Sequence, residues 1–166
     1  MDYYQGVVME YLRADRAIFV NSECCIQLDD VHNPKGGRHW FCDAVATDFR
    51  DKVVFLCEVS YAAGLGALLK RLEQWNAHWA LLTSALVRDC KVPETWYVRP
   101  WLFIPEGCIA SAVAAISKTG QGTGSGRSMP DPRITPLEMV APWQYTSWKR
   151  IGEKQKPEII PVGMRA

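Results

Sequence analysis

Apolar residues recur along the first part of the chain at helical spacing. Tyr3, Val7, Tyr11 and Ala14, flanked by Tyr4, Val8 and Leu12, build one apolar face and predict a helix over residues 2–14. Glu10 lies at the edge of that face, aimed at whatever the helix covers. The period then changes to two. Ile18, Val20, Cys24, Ile26 and Leu28 alternate with Phe19, Asn21, Glu23, Cys25 and Gln27, which predicts a strand over 17–28 with the first set on one face. The run from Asp29 to His39 is rich in Asp, Asn, Pro and Gly and reads as a loop. Strands over 39–49 and 53–61 follow, joined by the polar turn Arg50, Asp51 and Lys52, and so form a hairpin.

The longest periodic segment spans 64–89. Leu65, Leu68, Leu69, Leu72, Trp75, Trp79, Leu82 and Leu86 make a nearly continuous apolar stripe, with Lys70, Arg71, Glu73, Gln74 and His78 off it. Pro93 stops this helix, because proline disfavours helical geometry in the residue before it. A strand over 95–104 comes next, and Pro100 argues for an edge position or a bulge there. A short Ala-rich helix over 107–118 closes the segment. A long helix between two strands fits a crossover that leaves them parallel and adjacent. The expected fold is therefore α/β, an αβββαβ mixed sheet flanked by helices.

Composition changes after residue 118. Residues 119–128 are a Gly/Ser-rich linker, which sets a body of 1–118 apart from an arm of 129–166. The arm holds Pro130, Pro132, Pro136, Pro142, Pro157 and Pro161, together with Trp143, Tyr145 and Trp148. Disordered tails are poor in aromatics, so the arm is expected to dock on the body or on a partner protein. Lys149, Arg150, Lys154 and Lys156 near those rings also suit single-stranded nucleic acid.

The totals exclude little. With 166 residues the chain supports one real core, and 48% hydrophobic with 22% charged residues is ordinary for a globular domain. A net charge of +1 gives no global attraction to nucleic acid, so any such binding needs a local basic patch. No apolar run is long enough to span a membrane, and the start of the chain lacks the apolar stretch of a secretory signal, so the expected compartment is the cytoplasm. The six cysteines, Cys24, Cys25, Cys42, Cys57, Cys90 and Cys108, contain no CxxC pair and read as reduced, buried small hydrophobes. The spacing of Cys24, Cys25, Cys42 and His39 does not match a zinc ribbon, and Cys42 with His39 lacks a third group to orient a nucleophile.

Two acidic residues stand out against this background. Asp43 lies between Phe41, Cys42, Ala44 and Val45, and Glu58 follows Val53, Val54, Phe55, Leu56 and Cys57. Carboxylates in apolar strands are costly to bury unless paired or bound to metal. Two of them on neighbouring strands of one hairpin invite a shared cation. Strand alternation puts Ser60 on the same face as Glu58.

The αβββαβ order, an aspartate in the second strand and, after fourteen intervening residues, Glu58-Val59-Ser60 ending the third resemble the PD-(D/E)xK (restriction endonuclease-like) nuclease superfamily. Ser60 stands where that family usually has lysine. The resemblance covers residues 2–104. It implies a metal-dependent DNA endonuclease in which Asp43, Glu58 and the backbone carbonyl of Val59 hold Mg²⁺ or Mn²⁺. Glu10 matches the first-helix glutamate that many members add, and branched, mobile-element or foreign DNA is the implied substrate. Ser60 carries no charge, so the missing cation has to come from elsewhere: Lys70 or Arg71 on the long helix, or Lys35 in the loop. Glu23 and Gln27, on one polar strand face, are candidates for supporting positions.

Each of these residues also has a plain structural reading. Asp43 can pair with Arg38 or another surface cation, Glu58 can be a buried structural carboxylate, Ser60 a small strand-end residue, and Glu10 a solvated helix residue. Lys70 and Arg71 can simply be the wet side of an amphipathic helix. The matching alternative function is a catalytically degenerate subunit or adaptor acting through protein partners or nucleic-acid binding.

Overall fold

The computed structural model describes residues 2–29, 38–62, 64–119 and 128–144. The first helix, α1 (Tyr3–Arg13), is started by a reciprocal cap. The Asp2 carboxylate accepts from the Gln5 amide N–H, and the Gln5 side chain accepts from the Asp2 amide, each at 2.8 Å. At its other end Asp15 is 2% exposed and accepts from Arg50 Nη2 at 2.7 Å, which ties the end of α1 to the turn between the second and third strands. Asp48 shapes that turn by accepting from the backbone amides of Arg50 and Asp51.

Three strands follow as an antiparallel meander: β1 (Ile18–Gln27), β2 (His39–Asp48) and β3 (Val53–Val59). Helices α2 (Gly66–Ala77) and α3 (Trp79–Cys90) cross over to β4 (Tyr97–Ile104), which pairs parallel to β3 from Val53 opposite Tyr97 to Val59 opposite Phe103. This is the parallel neighbour that a helical crossover requires. Helix α4 (Ile109–Thr119) precedes β5 (Arg133–Pro136), which pairs parallel to β4. The result is one mixed sheet of order β1-β2-β3-β4-β5 with helices on both faces. On one face α2, α3 and α4 cover Val54, Leu56, Leu102, Ile104 and Ile134. On the other, α1 covers Phe55, Cys57, Trp101 and Phe103.

Four departures from the sequence reading have physical causes. The long helix breaks at His78, whose backbone sits at φ −124° and ψ 24°. Neither glycine nor proline is present there. The His78 ring nitrogen lies 3.1 Å from the Gln74 carbonyl, the same oxygen its own amide uses at 3.2 Å, and such side-chain intrusion bends helices. Second, the arm is not wholly separate from the body. Its residues 133–136 form β5, where Thr135 Oγ1 accepts from Trp101 Nε1 at 2.9 Å and the Arg133 guanidinium lies 4.0 Å from the centre of the Trp101 ring. Pro136 is tolerated because it ends an edge strand. Pro100, opposite Leu56 of β3, lies one residue before β5 begins to pair, so on its β5 side the strand is still an edge at that level, where proline is tolerated. The linker residues 120–127, Lys35 and residues 145–166, with Tyr145, Trp148 and the basic residues beside them, lie outside the described residues. Trp143 is described and is 81% exposed.

Third, the apolar positions of β1 do not all serve one face. Ile18 and Val20 pack on the α1 side, whereas Cys24 and Ile26 pack on the α2 side. The partner strand changes in step, with Ala44 and Ala46 on the α1 side and Cys42 on the α2 side. Glu23, at φ 52°, lies at the changeover, and the pairing runs through in register from Ser22 opposite Ala44 to Cys24 opposite Cys42. A left-handed residue lets the two-stranded ribbon turn over without inserting a residue. Asp43 stands at the same level on β2. Fourth, only Cys42 and Cys57 are buried; Cys25 and Cys90 are exposed, Cys24 and Cys108 are half-buried, and all six are free thiols. Among the described residues no helix is long and apolar enough to cross a membrane.

Candidate functional site

The register of the β2–β3 hairpin carries Val45 opposite Leu56 and Ala44 opposite Cys57, and one further step brings Asp43 and Glu58 to the same level. There the ladder ends. The Val59 amide donates to Asp43 Oδ2 at 2.7 Å in place of a strand carbonyl, and the Ser60 amide turns to the Phe103 carbonyl of β4 at 3.0 Å.

Each carboxylate is held from a different side. Asp43 Oδ1 accepts from Gln5 Nε2 at 2.7 Å, so the residue that caps α1 with its amide oxygen positions the aspartate with its amide nitrogen. Glu58 follows Val54 and Leu56 toward the α2 face and is 3% exposed. Its Oε2 accepts from Arg71 Nη1 of α2. Its Oε1 is buried and has no hydrogen-bond partner among the described residues. An ionised oxygen in that state is costly, and a native structure rarely keeps one without a ligand, a proton or a water.

The electrostatics follow from this packing. Burial, reinforced by the charge of Asp43, pushes the Glu58 carboxyl up to about 8 against the pull of Arg71. Burial also raises Asp43, opposed by the Val59 amide, the charge of Arg71 and the Gln5 side chain. The pair thus resists carrying two negative charges with only one guanidinium nearby.

Of the residues singled out from sequence, the structure brings together Asp43, Glu58 and Val59, with Ser60 half-buried at the end of the same strand. Glu10 is not among them. It pairs with Arg13 at 3.1 Å on the outer surface of α1, with its side chain 70% exposed. Lys70 is exposed, and the helix cation that reaches Glu58 is Arg71. Asp43 does not pair with Arg38, which bonds to Asp29 instead. Glu23 is exposed, and Gln27 contributes its backbone carbonyl to Arg88 Nη2 at 2.6 Å.

Sequence reasoning missed Gln5, although a D-x-x-Q start is itself a capping signal that placed a polar side chain on the sheet side of α1. The choice between Lys70 and Arg71 was also open to counting. Arg71 is three residues after Leu68 and four before Trp75, on the buried stripe, whereas Lys70 lies two from both Leu68 and Leu72, on the far side.

As a metal site the set is sparse. Among the described residues no three His, Cys, Asp or Glu side chains gather into a ligand group, either here or around Cys24, Cys25, Cys42 and His39. Two carboxylates are nevertheless what Mg²⁺ commonly takes from a protein when substrate phosphate and water complete its shell. The unpartnered Glu58 Oε1 is the donor such an ion needs. Alongside this site opens a pocket of about 220 Å³, lined by His39, Trp40 and Phe41 of β2 and Arg71, Gln74 and Trp75 of α2. Compared with protein-family profiles, curated proteins and solved structures, the chain matches none.

Proposed function

We propose that this chain is a metal-dependent endonuclease of PD-(D/E)xK type that hydrolyses phosphodiester bonds in DNA, with its cation supplied by Arg71. The observation that carries this reading is the half-satisfied Glu58: one oxygen on Arg71, the other buried and unpartnered, at the level of Asp43 where β2 and β3 part. Asp43, Glu58 and the Val59 carbonyl would hold Mg²⁺ or Mn²⁺. The ion, when bound, neutralises phosphate charge and lowers the pKa of a bound water. Gln5 and the Val59 amide keep Asp43 in place, so its carboxylate needs little reorganisation. Arg71 does what Ser60 cannot. Its planar guanidinium is always charged, and its two-pronged geometry suits a phosphate.

A nicking assay on plasmid, branched and single-stranded DNA with Mg²⁺ or Mn²⁺ tests the reading. Cleavage is expected from the native chain and loss of at least a hundredfold from Asp43→Asn and Glu58→Gln. Cleavage retained in both variants removes the site from the reaction.

A second reading takes the Arg71–Glu58 pair as a finished structural ion pair. The chain is then a degenerate nuclease-fold subunit that binds a protein partner. That reading predicts no heat of Mg²⁺ or Mn²⁺ binding in calorimetry, and a co-purifying partner that is lost on deletion of residues 145–166. Metal binding that depends on Glu58 overturns it.

A further inference from the structure

We propose that Cys24 of β1 and Cys42 of β2 form a redox modification site, in which a hydroperoxide converts the two thiols into a cross-strand disulfide that a dithiol reverses. This stands independently of the nuclease reading. The two residues are direct partners in the β1–β2 register. Cα atoms so paired stand about 4.5–5.5 Å apart, inside the roughly 4.4–6.8 Å that a disulfide spans. Partners in register also share a face, and both side chains pack on the α2 side of the sheet. The left-handed Glu23 creates this match, because it turns the ribbon over one residue before Cys24. Cys25 is exposed on the other face of β1, and Cys57 is buried on the α1 side of the sheet, so neither is placed to reach Cys42.

Burial divides the roles within the pair. Cys24 is half-buried and open to a small oxidant, whereas Cys42 is 2% exposed and shielded from it. The Asn21 side-chain amide donates to Cys24 Sγ at 3.7 Å, and the neighbouring Cys42 thiol draws the Cys24 thiol below its ordinary range, against the opposing effect of burial. Both contacts favour the thiolate, the form that attacks. The Cys42 thiol is aimed back at β1, donating to the Cys24 carbonyl at 3.8 Å, so its sulfur already lies beside its partner. In the first step the Cys24 thiolate attacks one oxygen of hydrogen peroxide. The O–O bond breaks, hydroxide leaves and takes up the proton that Cys24 gave up, and Cys24 becomes a sulfenic acid. The Cys42 sulfur then attacks the Cys24 sulfur. The S–S bond forms, the S–O bond breaks, and the departing hydroxide takes the Cys42 proton as water. The two thiols lose two electrons, and the peroxide is reduced to two waters. Cys90 of α3 feels the charge of Cys24 and is the rival partner, but it lies on no strand paired to β1.

The test uses the full chain, reduced, freed of reductant and treated with about one equivalent of hydrogen peroxide. Thiol titration and mass spectrometry are the readouts. Two of the six thiols should disappear together, with a mass loss of about 2 Da and no gain of oxygen, and dithiothreitol should restore both. Peptide mapping without reductant should find residues 17–35 joined to residues 39–50. Cys24 and Cys25 share the first of these tryptic peptides, so substitution decides between them. Cys24→Ser and Cys42→Ala should each abolish the link, and Cys25→Ser and Cys90→Ser should keep it. If the buried Cys42→Ala change prevents folding, the half-buried Cys24→Ser carries the test. A link that survives Cys24→Ser overturns the proposal. So do links formed only between chains, and Cys24 oxidised to a sulfinic acid while Cys42 remains a thiol.

Discussion

Arg71 Nη1 donates to one carboxylate oxygen of Glu58 while the other, also buried, has no partner among the described residues. A salt bridge made for stability alone would be expected to satisfy both, because a half-paired buried charge loses more to desolvation than it regains. Glu58 instead keeps one oxygen in reserve beside Asp43, and this asymmetry has measurable consequences.

Stability should depend on pH through Glu58. Its carboxyl titrates near 8 when folded, against about 4.5 as a free side chain, so the folded state binds the extra proton between those values. The contribution is fully present below about pH 4.5, declines as pH rises, and is lost above about 8. Over that window Glu58 should cost a few kcal/mol of stability. Urea denaturation from pH 5.5 to 8.5, without divalent metal, is expected to show native stability falling with pH. Glu58→Gln should flatten the fall and be the more stable protein at pH 8.5. Parallel curves for the two proteins would show that Glu58 is ionised in the fold at neutral pH.

Metal affinity should run the opposite way. A divalent ion binds the ionised carboxylate, so below about pH 8 it must displace the Glu58 proton. Affinity for Mn²⁺ is therefore expected to rise up to tenfold per pH unit from pH 6 to 7.5 and to level off above 8. Calorimetry in buffers of different ionisation heat should also detect the released proton. Asp43→Asn should weaken binding at every pH, and Glu58→Gln should abolish the pH dependence. Binding that is flat from pH 6 to 8 in the native chain would place the metal, if bound, away from Glu58.

The cation should be transferable between its two possible positions. Ser60 follows Glu58 by two residues, and its backbone is fixed by the Phe103 carbonyl. On the nuclease reading, Arg71→Met is expected to lower nicking by a hundredfold or more, since it removes the charge that would face the phosphate. Adding Ser60→Lys to that variant should restore at least tenfold. Arg71→Lys, which keeps the charge but loses the two-pronged geometry, should fall between. Failure of Ser60→Lys to rescue a folded Arg71→Met chain would mean that Arg71 supports Glu58 without acting on substrate.

How much of this was legible depended on whether the signal was periodic. The meander and the parallel β4 followed from alternation and from the length of the intervening helix, and Asp43 and Glu58 stood out because carboxylates are rare in such apolar runs. The turnover at Glu23 was invisible, since a left-handed backbone leaves no mark on a polar–apolar pattern. Glu10 sat at the edge of an apolar stripe, where a small rotation of the helix decides between sheet and solvent, and the helix turned it outward to Arg13. The break at His78 depends on a side-chain contact that no breaker residue announces. Strand β5 was hidden because Pro130 and Pro132 before it and Pro136 at its end resemble a linker, and its pairing partner, β4, is about thirty residues away.

That last strand carries a test of its own. Ile134 is 7% exposed and packs with Leu102 and Ile104, and Thr135 accepts the buried Trp101 indole N–H. Ile134→Ala leaves a cavity under α4 and is expected to cost about 2–4 kcal/mol. Thr135→Val keeps the shape but leaves the indole N–H unpaired, for about 1–3 kcal/mol. The two losses arise on opposite faces of the sheet, from packing and from hydrogen bonding, so they should be close to additive in the double variant. Deleting residues 128–166 removes both together with the Arg133 contact on Trp101, and should abolish the cooperative unfolding transition. If the deleted chain unfolds with native cooperativity and midpoint, β5 adds nothing to the body and residues 129–166 are an independent arm after all.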